Sequence, residues 1–355
     1  SNPAFKFDYA SDQAFNNEGE YKVGIGFEQQ FPITRRLSLL KEIADIEIEL
    51  AASEIRNRER YLRREVETSA LVIAQATEQI ELREAQNVLL QRLAKFVESR
   101  IQTGEASTLE VNQIKLELFS VHEEIHELEN DRLEETGHLR HLLGLEPDTP
   151  LQIDYTYNQP TTLQELPAVT DTSLREHPEI KQKRLLAQIA GSQSTLAMAN
   201  RWEDITLGFF FTNNRGVDEP IGRKTDNFLG LTLRLPMPIH NNNQGRITER
   251  RLQQRQFELE LEALALEKRS KARTLKDKLA NLFKQIDEYD SEVTQLVDQN
   301  LRDMNVAYES GLISLTDLFR TQEQRLEIEI FQLTLLHDYE QALVDWRATT
   351  DQPIQ

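Results

Sequence analysis

The chain has 355 residues, with 41 Lys and Arg against 60 Asp and Glu, a formal net charge of −19. That balance excludes the basic stripe of a nucleic-acid binder and a polybasic face for an anionic lipid surface; with no cysteine, disulfides, thiolate metal sites and thiol nucleophiles are excluded too. No apolar run reaches the roughly 18 residues of a spanning helix, and a content of 13 Gly and 11 Pro points to a helix-dominated chain.

In chain order, Phe5, Phe7 and Tyr9 alternate with Lys6 and Asp8, which predicts a strand over about 4–9. A polar stretch, 10–20, follows. Tyr21, Val23, Ile25, Phe27 and Phe31 then alternate with Lys22, Gly24, Gly26, Glu28 and Gln30, a strand over 21–31. Between Pro32 and Gly104 there is no Gly or Pro, so a helix is expected over about 37–102. From Leu37 to Arg100 it would be roughly 96 Å long at 1.5 Å per residue. After a tight turn at Gly104 a return helix is expected over about 107–143. Its Val111, Ile114, Leu118, Val121, Ile125 and Leu128 recur at three and four, a coiled-coil seam that slips at Arg132 and Leu133.

The second half opens with a helix over about 173–201. Strands follow over about 204–212 (Ile205, Leu207, Phe209, Phe211) and 227–235 (Leu229, Leu231, Leu233, Leu235), joined by a polar loop. His240 to Gln244 forms a strand-to-helix connector with Asn243 as N-cap. A long helix is expected over about 244–308, since no Gly or Pro lies between Gly245 and Gly311. A return helix follows over about 315–347, with the wider stripe of Leu318, Phe319, Leu326, Ile330, Leu333 and Leu336.

The two halves are one pattern written twice. Ile25 to Pro32 aligns with Leu229 to Pro236 at an offset of 204, and Thr103 to Ser107 aligns with Ser310 to Ser314 at an offset of 207. Glu110-Val111 then matches Asp317-Leu318. The organisation expected is therefore a first repeat, 1–172, and a second, 173–355, each a strand hairpin followed by a long-helix hairpin. The strands are apolar on one face and polar or tiny on the other. That is the dyad pattern of a transmembrane β-barrel strand, and also of a half-buried sheet in a soluble protein.

This arrangement resembles the TolC-type outer-membrane efflux proteins, and among them the CzcC/CusC-like heavy-metal efflux branch. The residues that carry the resemblance are the strand ending Phe27-Glu28-Gln29-Gln30-Phe31-Pro32 before a long helix, the doubled turn Gly104 to Val111 and Gly311 to Leu318, and the segment His177-Pro178-Glu179-Ile180 to Asn200. The resemblance implies a mainly α protein with a small β part: a homotrimer whose twelve-stranded β-barrel is continued by an α-helical barrel. Physics agrees, because four strands with open edges cannot face lipid, whereas three copies supply an even number that closes. The resemblance further implies an outer membrane location reaching into the periplasm, an exit-duct function passing metal ions or drugs, and two partners, a periplasmic adaptor and an inner-membrane RND pump. It implies no enzyme, no cofactor and no nucleic acid. Measured against the family, a helix, an export signal and a lipid-anchor Cys are missing ahead of the first strand, which reads either as a trimmed chain or as a variant of the family.

Site residues follow from the same comparison. The helix-hairpin tips, with Gly104, Ser107, Gly311 and Ser314, are the expected adaptor contact; a plain helix cap would use the same residues. In TolC-like members, acids six and nine residues after the second tip glycine ring the aperture. Here Asp317 and, in the first half, Glu110 hold the sixth position, while Arg320 departs at the ninth. An acid at a helix N-terminus is the ordinary alternative. Lys22, Glu28, Gln30, Thr232 and Arg234 are expected to face a barrel lumen. Two rival functions stand beside the duct. One is a soluble coiled-coil scaffold. The other is a helical zinc hydrolase using His122, Glu123 and His126 of an H-E-x-x-H pattern.

Overall fold

The computed structural model describes residues 2–12, 14, 19–103, 106–163, 166–170, 172–218, 222–237, 242–289 and 291–352, with backbone alone at 102, 291, 292 and 294. Gly104 and the residues 238–241 of the connector lie outside that set. The elements are β1 (Ala4–Ser11), β2 (Tyr21–Phe31), α1 (Arg36–Gln102), α2 (Thr108–Leu142), α3 (Pro178–Ala199), β3 (Ile205–Asp218), β4 (Gly222–Arg234), α4 (Gln244–Glu288), α5 (Ser291–Glu309) and α6 (Leu315–Thr350). The chain divides into two compact units, one of 1–54 with 178–263, the other of 55–177 with 264–355. Each unit draws on both sequence repeats.

In the first unit the four strands form one antiparallel sheet in the order β1-β2-β3-β4. Period-two patterning placed the strands, but it does not say that the two hairpins join. They do, through eleven β2–β3 pairs from Tyr21↔Arg215 to Phe31↔Ile205. β3 and β4 also run further than the apolar alternation, to Asp218 and from Gly222. Their outer ends are mostly polar: Thr212 to Arg215 still pair with Tyr21 to Gly24 of β2, and only Gly216 to Asp218 pair with β4 alone. Helix α3 starts at Pro178, five residues later than expected. Proline suits a first helical turn and holds the preceding residue extended, and His177 has φ −57°, ψ 125°. The segment 173–176 is a short 3-10 turn instead.

Within this unit α3 packs on the adjoining stretches of α1 and α4. Ser53 Oγ donates to the Pro178 carbonyl at 3.0 Å and Gln182 Nε2 to that of Ser53 at 3.1 Å. Lys183 pairs with Glu260 at 2.6 Å, and Gly191 lies against the Gln254 side chain. The sheet is tied to the start of α1 by Arg36, which reaches Asp204 at 2.6 Å. The Asp204 side chain is 6 % exposed and that of Arg36 33 %. Asp204→Ala is expected to lower unfolding free energy by about 1–3 kcal/mol, below the full cost of breaking a buried pair because Arg36 stays partly solvated. Denaturant melts of the two proteins would show it; coincident curves would sink the role.

The second unit is helical. The α2 seam is buried as expected at Val111, Ile114, Val121 and Ile125, with Leu118 and Leu128 packed beside it. A second cluster gathers Leu279, Leu282, Ile286, Leu335, Tyr339, Leu343 and Trp346 where α4 meets α6. The single long helix expected over 244–308 is two, α4 and α5. No Gly or Pro marks the break. It coincides with a tertiary contact: the Tyr289 carbonyl accepts from Gln332 Nε2 at 3.2 Å, and the Tyr289 ring packs on Phe331 with centroids 5.1 Å apart. No described helix is long and apolar enough to cross a membrane.

Candidate functional site

The sheet separates side chains by chemistry. Because pairing is in register, odd-numbered residues of all four strands share a face: Phe5, Phe7 and Tyr9, then Val23, Ile25 and Phe27, then Leu207, Phe209 and Phe211, then Leu229, Leu231 and Leu233. These large apolar groups are mostly exposed, Leu231 at 83 % and Phe5 at 71 %. A contiguous apolar face of this size is not left to water. β2, with 11 residues, is roughly 34 Å long at 3.4 Å per residue, or about 26 Å high at a 40° tilt. The lipid band of a membrane barrel is about 25 Å tall.

The opposite face carries every residue expected to line a lumen. Lys22 pairs in register with Asn214, Glu28 with Gly208, Gln30 with Thr206, and Thr232 and Arg234 with Gly208 and Thr206 from the other side. Lys6 bonds Glu28 at 2.6 Å on this face. Two glycines are set by close approach here. A Cβ on Gly208 would collide with the Thr232 hydroxyl, and one on Gly230 with the Phe210 ring.

At the helix-hairpin tips the two repeats use matching residues differently. Gly311 takes φ +72°. Its N–H donates to the Tyr308 carbonyl at 2.9 Å and that of Leu312 to Ala307 at 2.8 Å, which closes α5 in a Schellman motif. Ser314 caps α6: its hydroxyl accepts from the Asp317 N–H at 3.2 Å, and the Asp317 carboxylate accepts from the Ser314 hydroxyl at 2.6 Å and N–H at 3.3 Å. These bonds hold the Asp317 carboxyl below the usual carboxylate range, so it stays anionic and exposed. Ser107 caps α2, accepting from the Leu109 N–H at 2.9 Å. Glu110 does not fold back on Ser107. It accepts instead from the Tyr308 hydroxyl at 3.2 Å, which ties α2 to α5. Burial, reinforced by Glu110, pushes the Tyr308 phenol up to about 12. Beneath the tip, Val97, Ile114 and Leu318 are fully buried. On its surface Leu312 is 78 % exposed and Leu109 64 %. Neither the Tyr308–Glu110 bond nor these two leucines follow from the sequence pattern above; a bulky apolar residue directly after a turn glycine is the available signal for Leu312.

The two histidines of the H-E-x-x-H pattern turn to different partners. His122 Nε2 lies 3.4 Å from Asn87 Nδ2, and His126 Nδ1 lies 3.2 Å from Glu129. Among the described residues no three His, Asp or Glu groups converge to hold a metal.

A buried polar contact sits between α1, α6 and the segment that follows α2. Tyr157 donates to the Leu71 carbonyl at 2.7 Å and lies 3.0 Å from His337 Nδ1. Burial, chiefly, lowers the His337 pKa, with Lys278 adding to the shift and Asp338 and the Leu71 backbone opposing it. A base with a depressed folded pKa stabilises the fold above its ordinary pKa of 6.5 and less as pH falls below it. The melting temperature should therefore drop more steeply between about pH 7 and pH 5.5 in the parent than in His337→Gln. Parallel slopes would refute this.

The outer membrane efflux protein family model matches residues 5–145. The whole chain superposes on CusC, described through its transmembrane channel formation, with TM-score 0.79 at 16 % identity, covering 98 % of this chain and 82 % of that one. The chain has the fold of an outer-membrane efflux channel, and its first repeat matches that family. The same efflux fold is seen in the outer membrane protein VceC of Vibrio cholerae, with TM-score 0.78 at 15 % identity over 100 % of this chain and 87 % of that one. It is seen again in the CmeC outer membrane channel of Campylobacter jejuni, at 0.75 and 13 % over 98 % and 77 %. No curated protein matches the chain at a significant level.

Proposed function

We propose that this chain is the outer-membrane exit duct of an efflux system, a passive conduit without covalent chemistry. The observation that carries the proposal is the sheet, with an exposed apolar band on one face, the polar and charged residues named above on the other, and two open edges at β1 and β4. An open edge cannot face hydrocarbon, because each unpaired backbone group there costs several kcal/mol. A homotrimer pairs β4 of one copy with β1 of the next and closes twelve strands around the Lys22, Glu28, Gln30, Thr232 and Arg234 face. The helices then extend into the periplasm. The tips at Gly104, Ser107, Gly311 and Ser314 meet a periplasmic adaptor, coupled to an inner-membrane RND pump. Leu312 and Leu109 are the apolar groups available for that contact. Three copies of Asp317, kept anionic by Ser314, form an acidic ring at the aperture that favours cations, with Glu110 behind it bonded to Tyr308. The two repeats, 1–172 and 173–355, contribute equivalent elements to this assembly.

The test is the protein mass of the detergent-extracted particle by light scattering, followed by planar-bilayer conductance. A mass of three chains, confined to the membrane fraction and giving ion-conducting steps, is the expected result. A detergent-independent monomer in the soluble fraction would overturn the duct and favour a scaffold.

A further inference from the structure

We infer that Arg215 and Arg223, on the lipid-facing side of the β3–β4 hairpin just beyond the apolar band, form a docking surface for the phosphate groups of membrane lipids. The inference rests on the barrel proposed above. Register puts both arginines on the same face as the apolar residues. Phe211 pairs with Leu229, Asn213 with Asn227, Arg215 with Thr225 and Val217 with Arg223. The band therefore ends at Phe211 and Leu229, an Asn213–Asn227 side-chain bond of 2.7 Å closes it, and the two guanidinium groups follow. They are diagonal neighbours across the hairpin, with Cβ atoms about 7–8 Å apart, within reach of one oxyanion or two adjacent ones. Tyr21, in register with Arg215, supports it, with the guanidinium 5.8 Å from the ring centroid. Stacking a guanidinium on an aromatic face leaves its N–H edge free to form paired bonds to phosphate.

Charge compensation differs between the two faces. On the inward face Lys224 pairs with Asp226 at 3.5 Å. On the outward face the remaining strand residues at this level are Asn213, Val217, Thr225, Asn227, Tyr21 and Ser11. Among the described residues no carboxylate pairs with either arginine. The acids in the register here, Asp218 and Asp226, stand at even positions on the other face, and Glu20, ahead of β2, accepts from the Val217 N–H at 3.0 Å. In a chain of net charge −19, a cation pair with no carboxylate partner among the described residues, at the height where hydrocarbon gives way to headgroups, is complementary to lipid phosphate. Two arginines are far short of a polybasic face, so the overall acidity of the chain does not oppose this local contact.

The experiment incorporates the full chain into vesicles of an uncharged, phosphate-free galactolipid doped either with a phosphorylated glycolipid or with the same glycolipid dephosphorylated. Glycolipid retained per chain after detergent washing is measured by mass spectrometry. The parent should retain the phosphorylated form at least about tenfold better, the scale set by two charge-assisted hydrogen bonds. R215Q/R223Q should fall to the dephosphorylated level, and R215K/R223K should lie between, because Lys lacks the paired donors. Unchanged particle mass and flotation of the variants show that they fold. Equal retention of both lipids by the parent, or equal retention by R215Q/R223Q, overturns the inference while leaving the barrel standing. Displacement of the lipid by an equal concentration of inorganic phosphate overturns the assignment to a lipid headgroup. Failure of the chain to float with either vesicle sinks the barrel and this surface together.

Discussion

Leu231→Arg is expected to abolish assembly in the membrane. Leu231 stands 83 % exposed in the middle of the apolar sheet face, between Leu229 and Leu233 and in register with Phe209. In the proposed barrel an arginine there would sit in hydrocarbon at a cost of about 2–4 kcal/mol per chain near the midplane. The cost is repeated in every copy of a trimer, which multiplies its effect on a cooperative assembly. The yield of membrane-inserted trimer, measured by extraction and light scattering, should fall by more than tenfold. Lys22→Glu provides the matched control. It changes a charge of the same sheet, but on the polar face and at a position already hydrated. Its yield should equal that of the parent, and its bilayer currents should shift toward cations. Should Leu231→Arg accumulate at parental level, or even become more soluble without loss of structure, the apolar face would not be a lipid face.

Leu318→Ala should be the most damaging truncation at the tip. Leu318 has no exposed surface and lies with Val97, Ile114, Leu301, Tyr308 and Leu315. Removing a buried leucine costs about 2–5 kcal/mol, the transfer loss plus the cavity left behind. The cluster is local to the tip, so hydrogen exchange should accelerate in α5 and the start of α6 while the strands stay protected. Leu312→Ala removes an equal side chain only six residues away, but one that is 78 % exposed. Its stability should change by no more than about 0.5 kcal/mol. If the tip is the adaptor contact, its loss should appear instead as weaker adaptor binding. Equal exchange rates in Leu318→Ala and the parent would remove the tip cluster from the account of how the helix hairpin is held.

The elements were legible wherever one face of an element is apolar. Phe5 to Tyr9, Tyr21 to Phe31, Ile205 to Phe211 and Leu229 to Leu235 alternate, and pairing in register gathers their large apolar side chains on one face of the sheet. The α2 seam was legible for the same reason, since Val111, Ile114, Val121 and Ile125 fill one groove. Where that pressure stops, so does the pattern. The outer ends of β3 and β4, with Asn213, Asn214, Lys224 and Thr225, carry strand hydrogen bonds but no apolar side, and they resemble a loop. The break between α4 and α5 has no local breaker, because the group that engages the Tyr289 carbonyl, Gln332, lies 43 residues on.

The candidate site divides along the same line. The duplicated Gly-x-x-Ser-x-x-acid turns announced themselves in sequence, with a Schellman closure at Gly311 and a capping box from Ser314 to Asp317 as their local chemistry. That Glu110 departs from the same box to take the Tyr308 hydroxyl was not legible, since the partners are 198 residues apart.

By itself, the sequence determined what repeats at short range, the strand faces, the α2 seam and the capped turns, together with the doubling of the whole; the Gly-free run before Gly311 did not disclose that its helix is broken in two. Tertiary structure alone decided which elements meet. It joined β2 to β3 to make one sheet from two hairpins, set Arg215 beside Tyr21, and bonded Tyr308 to Glu110. Periodicity records the medium a side chain faces, but not which distant residue it touches. That choice is settled only when the chain closes and each polar group must find a partner in the space left to it.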